Sequence, residues 1–123
     1  MTQRDEYTTG SNSKRPSAAP SSAAHEALTV LIRTIQESSP YEMLLHSALN
    51  IIEHYDHENQ TDLLNTLEVY LENDCNAQKC GRLLFLHRNS LVYRIHRVQE
   101  ISGCDLFNPE ERSYLRISFL LRR

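Results

Sequence analysis

Three observations predict an all-α fold. Apolar residues recur at helical spacing in one window after another. Cap residues and prolines stand where those windows begin. No stretch alternates apolar and polar residues as a half-buried strand would. The chain has only 3 Gly and 4 Pro in 123 residues, too few for the turns of a β-sandwich. Apolar residues make up 40% and charged residues 24%, an ordinary balance for one globular domain.

The elements follow in order. Residues 1–23 read as a disordered tail or linker. They are rich in Ser, Thr and Ala and have almost no large apolar side chains, so burial does not offset the entropy of ordering them. Residues 24–38 place Leu28, Leu31, Ile32 and Ile35 on one stripe of a first helix. Ser39-Pro40-Tyr41-Glu42 has the form of a capping box with proline at the first helical position, and predicts a second helix running to about Tyr55. Its apolar residues are Leu44, Leu45, Ala48, Leu49, Ile52 and Tyr55, and the polar run Asp56–Gln60 breaks it. A third helix is expected from about Thr61 to Asn73, with Leu63, Leu64, Leu67, Tyr70 and Leu71 on its inner face. A fourth follows an Asn76 cap and ends near Leu84. A fifth spans about Arg88–Ser102 and stops at Gly103, suited to a left-handed cap. Asn108-Pro109-Glu110-Glu111 starts a sixth, which carries Leu115, Phe119 and Leu120.

Charge divides the chain more sharply than its net −3 suggests. Residues 25–74 hold one basic side chain, Arg33, and 10 acidic ones. Residues 75–99 hold Lys79, Arg82, Arg88, Arg94 and Arg97 and no acid. A basic island of this kind is an anion-binding surface, with nucleic acid the first candidate.

That island coincides with a short helix, a tight turn at Phe85-Leu86-His87 and a longer basic helix, which is a helix-turn-helix. The unit needs a small residue where its helices approach, and Gly81 stands there. The turn needs an apolar anchor, supplied by Leu86 or Phe85. At 100° per residue, Leu91, Ile95, Val98 and Ser102 face inward, whereas Asn89, Tyr93, His96, Arg97 and Glu100 face outward, with Arg88, Ser90, Val92 and Arg94 on the flanks. Amide, hydroxyl and guanidinium groups are what read base edges and grip phosphates. Asn89, Ser90, Val92 and Tyr93 are the expected base contacts, with Val92 able to meet a thymine methyl. Arg88 reads guanine or holds the backbone. Lys79, Arg82, Arg94 and Arg97 hold phosphates, and Arg94, nearest the buried stripe, is also placed to pair with Glu68 or Glu72. His87 is expected to cap the recognition helix.

Leu63–Leu67, Tyr70–Asn73, Asn76, the run Leu84-Phe85-Leu86-His87-Arg88-Asn89-Ser90-Leu91-Val92-Tyr93-Arg94-Ile95, then Arg97, Val98, Glu100 and Gly103 together resemble the C-terminal helix-turn-helix of the PucR/CdaR-type bacterial transcription regulators. That family includes regulators of purine catabolism and of sugar-diacid use. The resemblance covers about residues 62–123, and Leu44–Asp56 is similar to the helical segment leading into that domain. Ser90 stands where the family usually has Thr, and Cys80 and Gly81 where Thr and Ala are usual, a change expected to loosen the first helix of the pair. Family members carry a sensor domain upstream, so the resemblance implies that this chain is a fragment or truncated product with its effector site elsewhere.

The expected architecture is therefore a helical bundle: a tail at 1–23, a helical hairpin at 24–58 that serves as a dimerisation segment, and a helix-turn-helix DNA-binding domain at 59–123. The expected function is sequence-specific binding of double-stranded DNA as the output domain of a regulator, as a homodimer on a pseudo-palindromic site. The alternative is a protein-interaction or dimerisation module without DNA binding. No cofactor is expected. Cys75 and Cys80 are too loosely spaced for a metal site with His87 and His96, and His54-Tyr55-Asp56-His57 reads as a solvated turn. The 3 Cys do not suggest a disulfide framework. No nucleophile, base and orienter share a plausible spacing, so no enzyme is expected. No apolar run reaches the roughly 18 residues that span a bilayer, and no signal-peptide core opens the chain, so a cytoplasmic location without membrane contact is expected.

Overall fold

The computed structural model describes residues 18–38 and 40–122. All regular structure among them is helical: α1 (Ala18–Glu37), a 3₁₀ turn (Tyr41–Leu44), α2 (Ser47–Asn59), α3 (Leu63–Glu72), α4 (Ala77–Leu84), α5 (Arg88–Ser102) and α6 (Pro109–Leu121). The expected tail at 1–17 and the Ser39 cap lie outside the described residues. The chain divides into two units, the first ending at Glu37 and the second running from Ser38.

In the first unit α1 begins at Ala18, so residues 18–23 are helical where a tail was expected. Alanine is the strongest helix former, and Ala18, Ala19, Ala23 and Ala24 crowd this end. Pro20 falls in the first turn, where no intrahelical N–H bond is lost. Leu28 and Leu31 are exposed on this helix, with Ile32 and Ile35 half-buried.

The second unit packs five helices around one core. Leu49 and Ile52 of α2, Leu67 of α3, Leu91 and Val98 of α5 and Leu115 of α6 are each almost fully buried. The expected hairpin 24–58 is thereby divided: α1 belongs to one unit, while α2 buries Ala48, Leu49 and Ile52 in the other.

The start of α2 also differs from its sequence signature. Tyr41–Leu44 closes only a 3₁₀ turn, through bonds from Met43 N–H to the Pro40 carbonyl and from Leu45 N–H to that of Glu42. The α-helix begins at Ser47, because His46 takes an extended backbone and its Nδ1 accepts from Ala48 N–H at 3.0 Å. With Nδ1 accepting, Nε2 is the donor to Glu111 Oε2 at 3.2 Å. His46 N–H donates to Ser118 Oγ at 2.9 Å. One residue thus caps α2 and ties it to α6.

The other end of α2 runs past Tyr55 to Asn59, and Gln60 closes it in the left-handed conformation. Asp56 therefore sits inside a helix and not in a solvated turn. Its two carboxylate oxygens accept from Leu63 N–H and Leu64 N–H, both at 2.8 Å. It caps α3 from the preceding helix, in place of the local Asp62, whose side chain makes no cap bond. An acceptor at that position satisfies N–H groups that have no partner within α3.

Candidate nucleic-acid interface

The helix-turn-helix consists of α4, the turn Phe85–His87 and α5. Asn76 Oδ1 accepts from Lys79 N–H at 2.9 Å and starts α4 as expected. Gly81 suits the closeness of this turn: a Cβ there would lie 2.7 Å from the Leu86 carbonyl oxygen and 3.7 Å from the Arg88 nitrogen, so the turn would have to shift to admit one. Leu86 N–H donates to the Gly81 carbonyl at 2.7 Å, which pulls the turn onto the helix. Of the two candidate anchors, Leu86 is the half-buried one that packs against the core. Phe85 is 95% exposed.

His87 caps α5 as expected, its Nδ1 accepting from Asn89 N–H at 3.0 Å. Of the residues expected to face inward, Leu91, Ile95 and Val98 are buried and Ser102 is half-buried, and the candidate contact residues from the outward face and the flanks divide into two sets. Arg88, Asn89, Ser90 and Tyr93 are exposed, Tyr93 by 66%. Val92, Arg94 and Arg97 are half-buried. Lys79 and Arg82 are exposed on α4.

Arg94 and Arg97 are engaged within the chain. Arg94 Nη1 donates to the buried Thr66 Oγ1 of α3 at 3.3 Å. Arg97 Nη2 donates to the Tyr55 hydroxyl at 2.8 Å, and Nη1 to Glu100 Oε1 at 3.1 Å. Its guanidinium carbon lies 5.5 Å from the Tyr55 ring centroid, within cation–π range. The bond with Tyr55, then that with Glu100, raises the pKa of Arg97 further above its ordinary range.

A groove of about 770 Å³ runs beside α5. Asn89, Ser90, Tyr93, Arg94 and Arg97 line one wall. Tyr55, Gln60, Thr61 and Asp62, from the end of α2 and the turn before α3, line the other. Lys79, Arg82, Arg88 and Val92 are not part of it. The second wall was missed in the sequence because Gln60, Thr61 and Asp62 lie where no periodic signal runs, and Tyr55 was read only as an apolar residue of the second helix. Asp62 gives it a negative charge, so the groove's cationic side is the α5 side.

The three cysteines are free thiols: Cys80 and Cys104 are buried and Cys75 half-buried. Burial pushes all three thiols up in pKa, which disfavours reactive thiolate. Among the described residues, no three His, Cys, Asp or Glu side chains gather as a metal-holding group. No helix among them is long and apolar enough to cross a membrane.

Comparison with known proteins matches residues 63–121 to the family model for the PucR C-terminal helix-turn-helix domain. The chain is 30% identical over 75% of its length to the proline-responsive transcriptional activator PutR of Bacillus subtilis, covering 22% of that protein. It is 35% identical over 63% of its length to the purine catabolism regulatory protein of the same organism, covering 14% of it. It is 33% identical over 52% of its length to the carbohydrate diacid regulator of Escherichia coli, covering 17% of it. The chain thus spans about a fifth or less of these relatives. No solved structure matches it.

Proposed function

Residues 63–121 belong to the PucR C-terminal helix-turn-helix family, and from that premise we propose that the chain binds double-stranded DNA, sequence-specifically, as the output domain of a bacterial transcription regulator. The observation that carries this reading is the leading turn of α5. Arg88, Asn89 and Ser90 are exposed in succession with Tyr93 one turn on, and no carboxylate occurs between Cys75 and Gln99. In this reading α5 lies in the major groove with that end deepest. Asn89, Ser90, Val92 and Tyr93 meet base edges, and Arg88 meets guanine or the backbone.

Lys79, Arg82 and Arg88 supply the exposed cations. Arg94 and Arg97 reach phosphate only from side chains already bonded to Thr66 and Tyr55. Three phosphate contacts give a log–log salt slope of about −3 per protomer, against about −4.5 if all five cations took part. The test is fluorescence anisotropy with a labelled pool of bacterial promoter duplexes at several salt concentrations. Salt-sensitive binding that weakens in Arg88→Ala and Asn89→Ala is the expected result. An absence of binding at low salt sinks the reading and favours a protein-interaction module.

A homodimer on a pseudo-palindromic site belongs to this proposal. Because α2 spends its apolar face on its own unit, the dimer contact narrows to α1, where Leu28 and Leu31 are exposed. Sedimentation as a monomer at micromolar concentration would remove it. A cytoplasmic location, an effector site outside this chain and no catalytic role complete the reading.

A further inference from the structure

The turn between α4 and α5 holds a residue that the fold does not need. Phe85 has φ 58° and ψ 42°, in the left-handed region. Its N–H donates to the Arg82 carbonyl at 3.4 Å, while Leu86 N–H bonds the Gly81 carbonyl. This is the paired-bond cap that usually places glycine at the left-handed position. A bulky aromatic residue there is an outlier, because its Cβ crowds its own backbone. The tight approach of Gly81 to the Leu86 carbonyl leaves the turn no slack in which to relax. Nor does burial compensate, since the ring is 95% exposed and Leu86 does the packing. Phe85 is thus unfavourable twice, by backbone strain and by a hydrated apolar ring, at a site where glycine would fit. Strain kept in this way points to contact with something outside the chain.

The residues on either side of Phe85 in the sequence indicate what that is. Phe85 precedes the His87 cap and lies in sequence between Arg82 and Arg88, both exposed cations. An apolar group flanked by two anion-binding groups matches a nucleic-acid strand, in which a sugar lies between successive phosphates. We propose that Phe85 packs against the deoxyribose face of the DNA strand bordering the groove entered by α5. This rests on the DNA-binding reading above and adds an uncharged, sequence-independent contact to it. Such a contact has a signature that the other residues lack. Loss of a phosphate contact reduces the salt slope. Loss of a base contact affects preferred sequences most. Loss of a sugar contact weakens binding to any duplex by one factor and leaves the salt slope unchanged.

The experiment titrates the full chain and its variants Phe85→Gly, Phe85→Ala and Phe85→Leu against a labelled mixed-sequence duplex. Each is measured at several salt concentrations, and each variant's melting temperature is recorded. Phe85→Gly and Phe85→Ala are expected to weaken binding about fivefold at unchanged slope, in line with partial loss of an aromatic contact. Phe85→Leu keeps most of the affinity. Phe85→Gly is expected to melt at a higher temperature than the parent, because it relieves the left-handed strain. Full affinity in Phe85→Gly or Phe85→Ala, or a reduced salt slope, overturns the proposal. So does a lower melting temperature for Phe85→Gly, which would place the ring in the fold. Failure of the parent chain to bind the duplex at low salt is a separate result: it removes the DNA-binding reading itself.

Discussion

The two ends of α5 are built differently. The leading turn, Arg88–Ser90, is held by one local device, the His87 ring on Asn89 N–H, and its side chains are exposed. The trailing half is fastened on several sides. Arg97 bonds Tyr55 of α2, Gln99 Oε1 accepts from Leu106 N–H at 3.0 Å, and Ser102 Oγ donates to the Val98 carbonyl at 2.6 Å. Gly103 then takes φ 75° to end the helix. On the DNA-binding reading proposed above, the difference shows how a small module can present a recognition surface. The helix is fixed from behind and from beneath, so its exposed end gains geometric precision without committing its own polar groups.

The largest way to break the contrast is to remove the shared support under both ends. Leu91 is fully buried directly beneath the leading turn. Leu91→Ala is expected to cost about 3 kcal/mol of stability, the usual range for a leucine cavity in a core. Urea unfolding monitored by circular dichroism measures it. A loss below about 1 kcal/mol would mean that the core does not fix α5 from beneath.

How much of this was legible in the sequence depends on how far each stabilising partner lies along the chain. The bounds of α4, α5 and α6 follow from Asn76, Gly103, Asn108 and Pro109, which act within a few residues of themselves. The start of α2 does not. Ser39-Pro40-Tyr41-Glu42 looks like a helix start, yet the working cap is His46, outside the usual capping residues. That histidine is held by Glu111 and Ser118, 65 and 72 residues away. Asp56 capping α3 and Tyr55 holding Arg97 are likewise contacts between elements, so a residue-by-residue reading treated one as a solvated turn and the other as helix filler. The inward and outward faces of α5 were readable because helical geometry alone assigns them. Which outward cations were already engaged was not readable, since that depends on what α2 and α3 bring alongside.

The next largest effect sharpens the difference between free and engaged cations. Arg97→Met keeps the aliphatic stem and removes both hydrogen bonds and the ring contact. It is expected to lower the melting temperature by less than Leu91→Ala does, while leaving the salt slope of DNA binding unchanged. Arg82→Ala should do the reverse, with an unchanged melting temperature and a slope smaller by about one. If Arg97→Met reduced the slope as much as Arg82→Ala, Arg97 would belong with the phosphate-binding residues and the division of α5 would need redrawing.

The smallest effect concerns the loop that fastens the trailing end. Glu111 Oε2 accepts from Asp105 N–H at 3.0 Å, just beyond α5, and from His46 Nε2. The backbone bond from Asp105 leads in lowering the carboxyl pKa from 4.5; burial opposes it, and the His46 contact, a lesser contribution, lowers it further. A carboxylate whose folded pKa is depressed binds fewer protons in the folded chain than in the unfolded one. Its contribution is therefore complete above about pH 4.5 and is lost as pH falls through the lower folded value. The loss is modest, because the half-buried Glu111 carboxylate still meets solvent and its charge is partly screened. Thermal melts of the parent chain and of Glu111→Gln at pH 7 and at pH 4 isolate it. The variant should melt slightly lower at pH 7, and the gap between the two proteins should narrow toward pH 4. A gap that stays constant with pH would mean that the charge of Glu111 plays no part in holding the loop.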